Sequence, residues 1–184
     1  MTEYSDARIS QVLQFWFDEL HTRQWLEKDE TIDRSIAERF AGLHAELSTN
    51  VPMIWRTSAE GCMAAVVVLD QFSRNLYRQD PRAFASDATA HALATEAIEK
   101  SWDQRFDRHQ RIFFYLPFVH TENPEAQARA VELFAPLDED LFVLARQHKI
   151  IIDRFGRFPH RNAILGRTST EPELEFLQQP NSSF

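Results

Sequence analysis

Residues 63–69 form an apolar run that limits how this chain can fold. They read Met-Ala-Ala-Val-Val-Val-Leu, and Ser58 upstream is a good N-cap, so the segment predicts a helix that is apolar on every side. Such a helix has to be enclosed by other parts of the protein. Seven residues are too few to cross a bilayer. We therefore expect this helix to lie at the centre of the fold.

Apolar residues recur at helical spacing elsewhere in the chain. Residues 9–20 and 32–47 each carry an apolar stripe of helical period, and the chain has only 4 Gly residues. Helix-boundary signals are spread over the second half of the sequence, at Asn123, Pro124, Asp138, Gly156 and Thr170. The sequence therefore predicts an all-α fold of about eight or nine helices, arranged as a helical bundle or a short stack of helical hairpins.

Length and composition indicate a single helical domain that spans residues 1–184. The chain is 43% hydrophobic, which is enough for a sizeable core. Its N-terminus lacks the basic segment and apolar stretch of an export signal, so we expect a cytoplasmic protein that does not bind a membrane. The single cysteine, Cys62, cannot form an internal disulfide, and its apolar surroundings predict a buried, unreactive thiol.

Positive charge is concentrated between residues 146 and 167. This stretch has six basic residues and one acidic residue, a formal charge of +5, whereas the remainder has 14 basic and 27 acidic residues, a formal charge of −13. The composition argues against a nucleic-acid-binding protein, which needs a broad basic surface. A small cationic site in an acidic body favours a compact anion over a polyanion.

The segment 154–162 combines charge with a stiff backbone. Gly156 allows the chain to leave the preceding helix sharply, and Pro159 fixes the backbone before residues 160–162. The planar fork of arginine binds carboxylate or phosphate through paired hydrogen bonds, so arginines that converge with His and Asn would form an oxyanion site. The alternative is that carboxylates from elsewhere in the fold, or backbone carbonyls, hold these arginines. The sequence leaves both interpretations open.

Polar side chains follow the apolar run as the same helix continues. Asp70 and Arg74 have the i, i+4 spacing of a helical salt bridge, which is the interpretation we favour for this pair. Gln71, Asn75 and Arg78 share another helix face. If this end of the helix is covered, each of these groups needs either a protein partner or a ligand.

Three histidines are candidates for binding or proton transfer. His148 falls on the core-facing stripe of the long helix before the arginine segment, where a structural role is commonest, yet it points toward that segment. His120 and Glu122 follow Pro117, which should end or kink its helix, and we expect them in a loop where they could pair. Capping of the next helix is an equal alternative for that loop. The candidate catalytic residues are His120, Glu122 and His160.

Several motifs, taken in order, resemble one known family. They are Leu-Asp-Gln-Phe-Ser-Arg-Asn at 69–75, Tyr-Leu-Pro-Phe-Val-His-Thr-Glu at 115–122, the arginine segment at 154–162, and Leu-Gly-Arg-Thr-Ser-Thr at 165–170. The chain thus resembles, over nearly its whole length, the largely bacterial family called domain of unknown function 924. Ser73 stands where that family often has proline, and Thr121 where it often has serine. The resemblance implies an all-helical fold similar to tetratricopeptide-repeat proteins, and it implies no activity, substrate or cofactor.

The leading functional hypothesis is a protein that binds a small phosphate- or carboxylate-bearing molecule. The residues predicted to bind this ligand are Asp70, Gln71, Arg74, Asn75, Arg78, His120, His148, Arg154, Arg157, His160, Arg161, Asn162 and Arg167. Two alternatives stay open: an enzyme of hydrolase or transferase type that uses a His–carboxylate pair with arginines, and a helical scaffold that binds an acidic peptide or protein partner.

Expectations about metals and partners are limited. We expect no metal and no cofactor, because no pair of histidine or acidic residues has a strong metal-binding spacing. The four Trp and 15 Phe residues could leave apolar surface for a homodimer.

Overall fold

The computed structural model describes residues 6–25, 27–180 and 182–183, and within these ranges every regular element is helical. The predicted domain range of 1–184 therefore extends past the described residues at both ends. The α-helical segments, in chain order, are α1 Ala7–Leu13, α2 Glu30–Thr49, α3 Met53–Arg56, α4 Ala59–Val66, α5 Ser73–Leu76, α6 Asp87–Glu99, α7 Arg108–His120, α8 Pro124–Phe134, α9 Glu139–Phe155 and α10 Glu171–Leu177.

Shorter helical segments extend or connect these elements. A π-helical segment, Gln14–Glu19, prolongs α1, and a second, Val67–Phe72, joins α4 to α5 without a break. The short 3₁₀ segments are Thr22–Trp25, Pro81–Phe84, Asp103–Arg105 and Pro159–Arg161. Because α4 and α5 belong to one helix, the described residues make nine helices, and the predicted all-α fold is confirmed. An arrangement as tetratricopeptide-like stacked hairpins stays a prediction.

No helix within the described ranges combines the length and the apolar character that crossing a bilayer requires.

The chain forms two compact units. Unit 1 comprises Met1–Arg78 and Arg82–Pro117, and unit 2 comprises Gln79–Pro81 and Phe118–Phe184. The single domain expected from the sequence stays a prediction.

The continuous helix 59–76 lies in the core of unit 1, as its apolar run predicts. Residues 61–73 are all buried. The α4 segment packs against α1, α3 and α6. The π-helical segment Val67–Phe72 packs against α2 and α6. Ser58 starts the helix, because its hydroxyl accepts a hydrogen bond from the Gly61 N–H at 3.0 Å. Enclosure on all sides, rather than a high helix propensity of Val, explains why this segment is stable as a helix.

Cys62 is a buried thiol, as predicted. Its Sγ lies 3.3 Å from the carbonyl oxygen of Leu93, to which the thiol donates a hydrogen bond. Burial raises the pKa of Cys62 to about 12. The thiolate, which is the reactive form, is therefore scarce at neutral pH.

Phe72 is the aromatic centre of unit 1. Its ring lies 5.1 Å from the ring of Phe40, 5.6 Å from that of Trp16 and 6.0 Å from that of Phe15. The contacts with Trp16 and Phe15 have the edge-to-face geometry that the charge distribution of aromatic rings favours. One side chain thus links α2, the π-helical extension of α1 and the central helix.

A buried histidine is joined to the same helix by a hydrogen bond. His44 Nε2 lies 2.7 Å from the Ser73 hydroxyl, and that hydroxyl donates its only proton to the Leu69 carbonyl at 2.6 Å. Ser73 must therefore accept from His44, which assigns the proton of the neutral imidazole to Nε2. Burial lowers the pKa of His44, so this neutral form is favoured.

Helix boundaries in unit 2 follow the local sequence. The Asp138 carboxylate accepts hydrogen bonds from the amides of Asp140 and Leu141, so α9 begins there. Gly156 has φ of 68°, and its N–H donates to the Ile152 carbonyl at 2.8 Å, so α9 ends there. Thr170 starts α10 with the predicted capping box. Helices α8 and α9, which only residues 135–138 connect, pack against each other.

Pro117 was expected to end or kink its helix; it does not end α7, because the helix continues to His120, and the kink stays a prediction. His120 is therefore the last residue of a helix rather than part of a loop, whereas Glu122 does lie in the loop before α8. The carbonyl groups at the end of α7 would be short of donors. Gln127 supplies one: its Nε2 donates to the carbonyl oxygens of Val119 and Thr121 at 2.7 and 2.9 Å, and more weakly to that of Phe118 at 3.3 Å.

Replacement of Phe72 by alanine tests the role of this ring. We expect Phe72→Ala to lower the free energy of unfolding by about 3–5 kcal/mol, because the cavity would lie between three enclosed rings. Denaturant titration measures this loss. Met53, which is 70% exposed, offers the control, since Met53→Ala should change stability by less than about 0.5 kcal/mol. Equal losses of unfolding free energy in the two variants would contradict the assignment of Phe72 as the aromatic centre of unit 1.

Replacement of Gln127 by leucine tests the α7–α8 junction. Gln127 is fully buried, so Gln127→Leu leaves enclosed carbonyl groups without a donor and should cost about 2–3 kcal/mol of stability. The control is Gln178→Leu at an exposed position, which should leave the free energy of unfolding almost unchanged in the same denaturant titration. A stability of Gln127→Leu close to that of the unmodified chain would show that water or backbone rearrangement replaces the amide.

Candidate functional site

The predicted site residues fall into two sets, one in each unit. The unit 1 set is Asp70, Gln71, Arg74, Asn75 and Arg78. The unit 2 set is His120, Glu122, His148, Arg154, Arg157, His160, Arg161, Asn162 and Arg167. Each set has its own geometry.

In unit 1, Arg74 is held by two carboxylates. Its Nη1 lies 3.3 Å from Asp70 Oδ1, which confirms the predicted helical salt bridge. The same guanidinium donates to both oxygens of Asp87 at 3.0 and 3.1 Å. Burial alone would lower the pKa of Arg74, but the charges of Asp70 and Asp87 outweigh it and raise that pKa. Arg74 therefore ties the central helix to the start of α6.

Asn75 and Arg78 both bind Asp33 on α2. The Asn75 amide donates to Asp33 Oδ1 at 2.8 Å, and Arg78 donates to both carboxylate oxygens at 2.5 and 2.8 Å. Gln71, which was grouped with them by helix face, donates instead to Asp70 at 2.5 Å. Burial would raise the pKa of Asp33, yet the bonds from Arg78 and Asn75 lower it. These contacts join α2 to α5, so the protein itself supplies partners for the unit 1 set.

In unit 2, Arg157 forms a paired ion bridge with Glu173. Its Nε and Nη2 donate to the two oxygens of that carboxylate at 2.6 and 2.8 Å, and Nη2 also donates to the Thr168 carbonyl at 2.9 Å. Glu173 is buried and also accepts from the Thr170 N–H at 2.7 Å. The bond from Arg157, and then those from Thr170, lower the pKa of Glu173 to about 2. Glu173 thus both caps α10 and fixes Arg157.

Arg167 forms the second paired bridge, with Glu122. Nη1 and Nη2 donate to the two carboxylate oxygens at 2.6 and 2.9 Å, while Nε donates to Asn162 Oδ1 at 3.0 Å. The same Glu122 accepts from the Phe158 N–H at 2.7 Å, and Arg167 donates to the Phe158 carbonyl at 3.1 Å. Asn162 is buried and donates to the Ser169 hydroxyl at 3.0 Å. For Arg157 and Arg167, the structure shows the alternative in which carboxylates hold the arginines.

Arg154 is separate from these bridges. It is exposed near the end of α9, and its guanidinium carbon lies 4.6 Å from the ring centroid of its neighbour Phe155. This cation–π contact holds it against the helix surface.

Three of the remaining members of the unit 2 set, His148, His160 and Arg161, gather around one aromatic ring. The centroid of Phe158 lies 5.5 Å from the His148 ring, 5.6 Å from the His160 ring and 4.6 Å from the Arg161 guanidinium carbon. His120 lies near enough to affect the charge of His148. We name His120, His148, His160 and Arg161 the imidazole cluster.

Two histidines of this cluster, His148 and His160, disfavour their charged forms. Burial lowers the pKa of His148 to about 3, with smaller contributions from His120, Arg161 and His160. Burial and then the Arg161 charge lower the pKa of His160 to about 4, against an opposing effect of Glu122. Both side chains are therefore neutral at pH 7 while the Arg161 guanidinium is charged.

The tautomer of His148 follows from its backbone contact. Its Nδ1 lies 2.9 Å from the Leu144 carbonyl, which can only accept, so Nδ1 carries the proton of the neutral ring. Nε2 then holds a lone pair. It can donate to an anion only after it takes up a proton.

Two clefts lie in unit 1. One, of about 400 Å³, is lined by residues 47–51, Arg56 and the α6 residues Ala88, Thr89, Ala92 and Leu93. The other, of about 410 Å³, is lined by Met53, Arg56, Thr57, Glu96, Lys100 and Trp102. No residue of the predicted site lines either cleft.

The part of the chain that the structure describes holds no cluster of metal-binding side chains. There, no group of three or more His, Cys, Asp or Glu side chains could hold a metal ion.

Several residues that shape the site were missed at the sequence level. Gln127 positions the end of α7, where His120 lies, and its only signal was a polar residue among the alanines of a helix. Phe158 was not singled out as the ring around which His148, His160 and Arg161 gather. Asp33 carried no signal as the partner of Asn75 and Arg78, because it lies more than 40 residues away in the chain.

Comparison with known proteins identifies the family. The family model described as bacterial protein of unknown function (DUF924) matches residues 12–181. The solved structure of a protein of unknown function from Agrobacterium tumefaciens is 38% identical in sequence, with a TM-score of 0.88, over 94% of this chain and 97% of that chain. No curated protein matches the chain. The resemblance found in the sequence motifs is therefore confirmed, and the chain belongs to the bacterial DUF924 family.

Proposed function

We propose that the protein binds a small phosphate- or carboxylate-bearing molecule at the imidazole cluster of unit 2. The observation that carries this proposal is the gathering of His148, His160 and Arg161 around Phe158, where burial and the Arg161 charge lower the pKa of both imidazoles. Groups with strongly shifted pKa values, held close together by the fold, are more frequent at functional sites than elsewhere.

The geometry narrows the ligand residues predicted from the sequence. Arg157 and Arg167 each direct two nitrogens at a carboxylate, so their paired donors already serve the loop. His148, His160 and Arg161 lie instead around the face and edge of a buried ring. The Arg161 guanidinium at such a place offers the positive charge and N–H groups that bind oxyanions, and each imidazole adds a charged N–H group once it takes up a proton.

The low basicity of His148 and His160 favours binding over proton-transfer catalysis. A general base works best when its pKa lies near the working pH. With pKa values of about 3 and 4, His148 and His160 are weak bases at pH 7. Glu122, the predicted orienting carboxylate, accepts from Arg167 and from the Phe158 amide through both oxygens. Small metabolites that bear phosphate or carboxylate groups fit this chemistry in the cytoplasmic setting that the sequence suggests.

Thermal unfolding with added anions tests the proposal. At a ligand concentration of about 100 Kd, binding to the native state contributes about 2.7 kcal/mol. For a chain of this length, we expect Tm to rise by roughly 5–10 °C with the best of inorganic phosphate, organic phosphates and di- or tricarboxylates, at constant ionic strength.

Paired variants make this test specific to the cluster. His160→Gln and Arg161→Gln should abolish the rise in Tm, whereas Arg154→Gln should keep it, because Arg154 is exposed and stacks on Phe155. General stabilisation by excluded salts would affect all three variants alike. A full rise in Tm in His160→Gln, or no rise with any anion in the unmodified chain, would refute a site at this cluster.

Anion binding should be accompanied by proton uptake. A bound anion favours the protonated imidazole, so it raises the pKa of His148 and His160 above their values of about 3 and 4. Affinity should therefore increase as the pH falls from 8 toward 5, and the dependence should level off below the pKa of the unliganded protein. Calorimetric titration with sulfate, in buffers of different ionisation heats, measures the protons taken up. A heat that is the same in every buffer at pH 5–6 would show that the histidines do not titrate with binding.

A further inference from the structure

The outward face of α9 exposes two large apolar side chains. Val143 and Ile150 lie two helical turns apart, on one line, and are 43% and 59% exposed. Gln147 lies between them and is exposed as well. Single exposed apolar residues are ordinary on a protein surface. Val143 and Ile150 are instead aligned, so they share one face of the helix.

The same line ends in opposite charges. Glu139 lies one turn before Val143, and Arg154 lies one turn after Ile150. Both charged residues are exposed. Along this line the residues are therefore acidic, apolar, polar, apolar and basic from the first to the last turn of the helix. The exposed Arg146 borders the line, and its guanidinium carbon lies 5.7 Å from the ring centroid of Phe142.

We propose that this face of α9 is the surface through which a second copy of the chain docks, with the two α9 helices antiparallel. A two-fold axis between Arg146 and Gln147 places Val143 of one copy opposite Ile150 of the other. The same axis places Glu139 opposite Arg154. Every contact occurs twice, as a two-fold interface requires.

The order of charges selects this partner and this orientation. Parallel helices would set Glu139 against Glu139 and Arg154 against Arg154, and like charges in contact disfavour a complex. In the antiparallel pair, each acidic end meets a basic end. Asp153, an acid near the basic end, does not upset the pattern, because Lys149 forms a salt bridge with it at 2.5 Å on the same helix. The face is therefore complementary to itself.

This surface is distinct from the proposed ligand site. His148 belongs to the buried face of α9, whereas Val143 and Ile150 belong to the exposed face. Because a single pair of helices forms a contact at the small end of the range for specific interfaces, below about 1,200 Å², we expect a weak dimer with a dissociation constant of roughly micromolar order.

Sedimentation velocity of the full chain, over roughly 5–500 µM, tests the proposal. The unmodified chain should pass from monomer to dimer with rising concentration. Ile150→Glu should raise the dissociation constant by about tenfold or more, because it places a charge at the centre of the contact. Because Ile150 is exposed, the substitution should leave the fold intact, and an unchanged circular dichroism spectrum and Tm would verify this.

A charge exchange between copies gives the sharpest test. Glu139→Arg and Arg154→Glu, each alone, bring like charges together and should stay monomeric. An equimolar mixture of the two variants should form a heterodimer, and the double variant should form a homodimer, because opposite charges meet again. A monomeric chain throughout the range would overturn the proposal. So would a dimer that tolerates Ile150→Glu, or a mixture in which the two charge variants do not associate.

Discussion

A charge that is withdrawn from water needs an opposite charge or a full set of hydrogen bonds beside it, and this requirement determines where the arginines of the protein lie. In unit 1, buried Asp70 and Asp87 hold Arg74, and Asp33 holds Arg78. In unit 2, Glu173 holds Arg157, and Glu122 holds Arg167. These bridges join segments that are distant in sequence. These bridges add little net stability. They favour one arrangement of the helices over others, because any other arrangement would leave a guanidinium without its carboxylate.

The arginine segment therefore serves two purposes. Arg157 and Arg167, together with Asn162, fix the path of the backbone between α9 and α10. Arg161, in the middle of the same segment, lies over Phe158 beside His148 and His160. A run of like charges in a sequence is often interpreted as one surface. Here the side chains separate according to the partner that each one reaches.

Local signals in the sequence predicted the fold well. The apolar run at 63–69 placed the central helix, and the caps at Ser58, Asp138 and Thr170 placed helix starts, because these features act within a few residues of chain. Pro117 does not end α7, which continues to His120, where Gln127 supplies a donor to the last carbonyl groups. That donor comes from the next helix, and its arrival depends on packing rather than on the local sequence.

The candidate site was predictable in composition but not in geometry. The histidines and arginines could be named from their residue types and spacing. Which arginine is paired depended on Glu122 and Glu173, whose partners are 45 and 16 residues away in the chain. Burial, which lowers the pKa of His148 and His160, likewise results from the packing of Phe158 and α9. No periodicity in the sequence carries that information.

The position of Phe158 has a consequence for selectivity. Its N–H donates to Glu122 and its carbonyl accepts from Arg167, so both polar groups of its backbone are anchored while its ring supports the histidines and Arg161. Such an anchored backbone cannot shift to follow the outline of a guest molecule. If the proposed anion binds beside this ring, it meets donors that already hold their positions, so the protein loses little conformational entropy on binding. Anions of equal charge would then be discriminated by size, because the donors cannot move to suit each one.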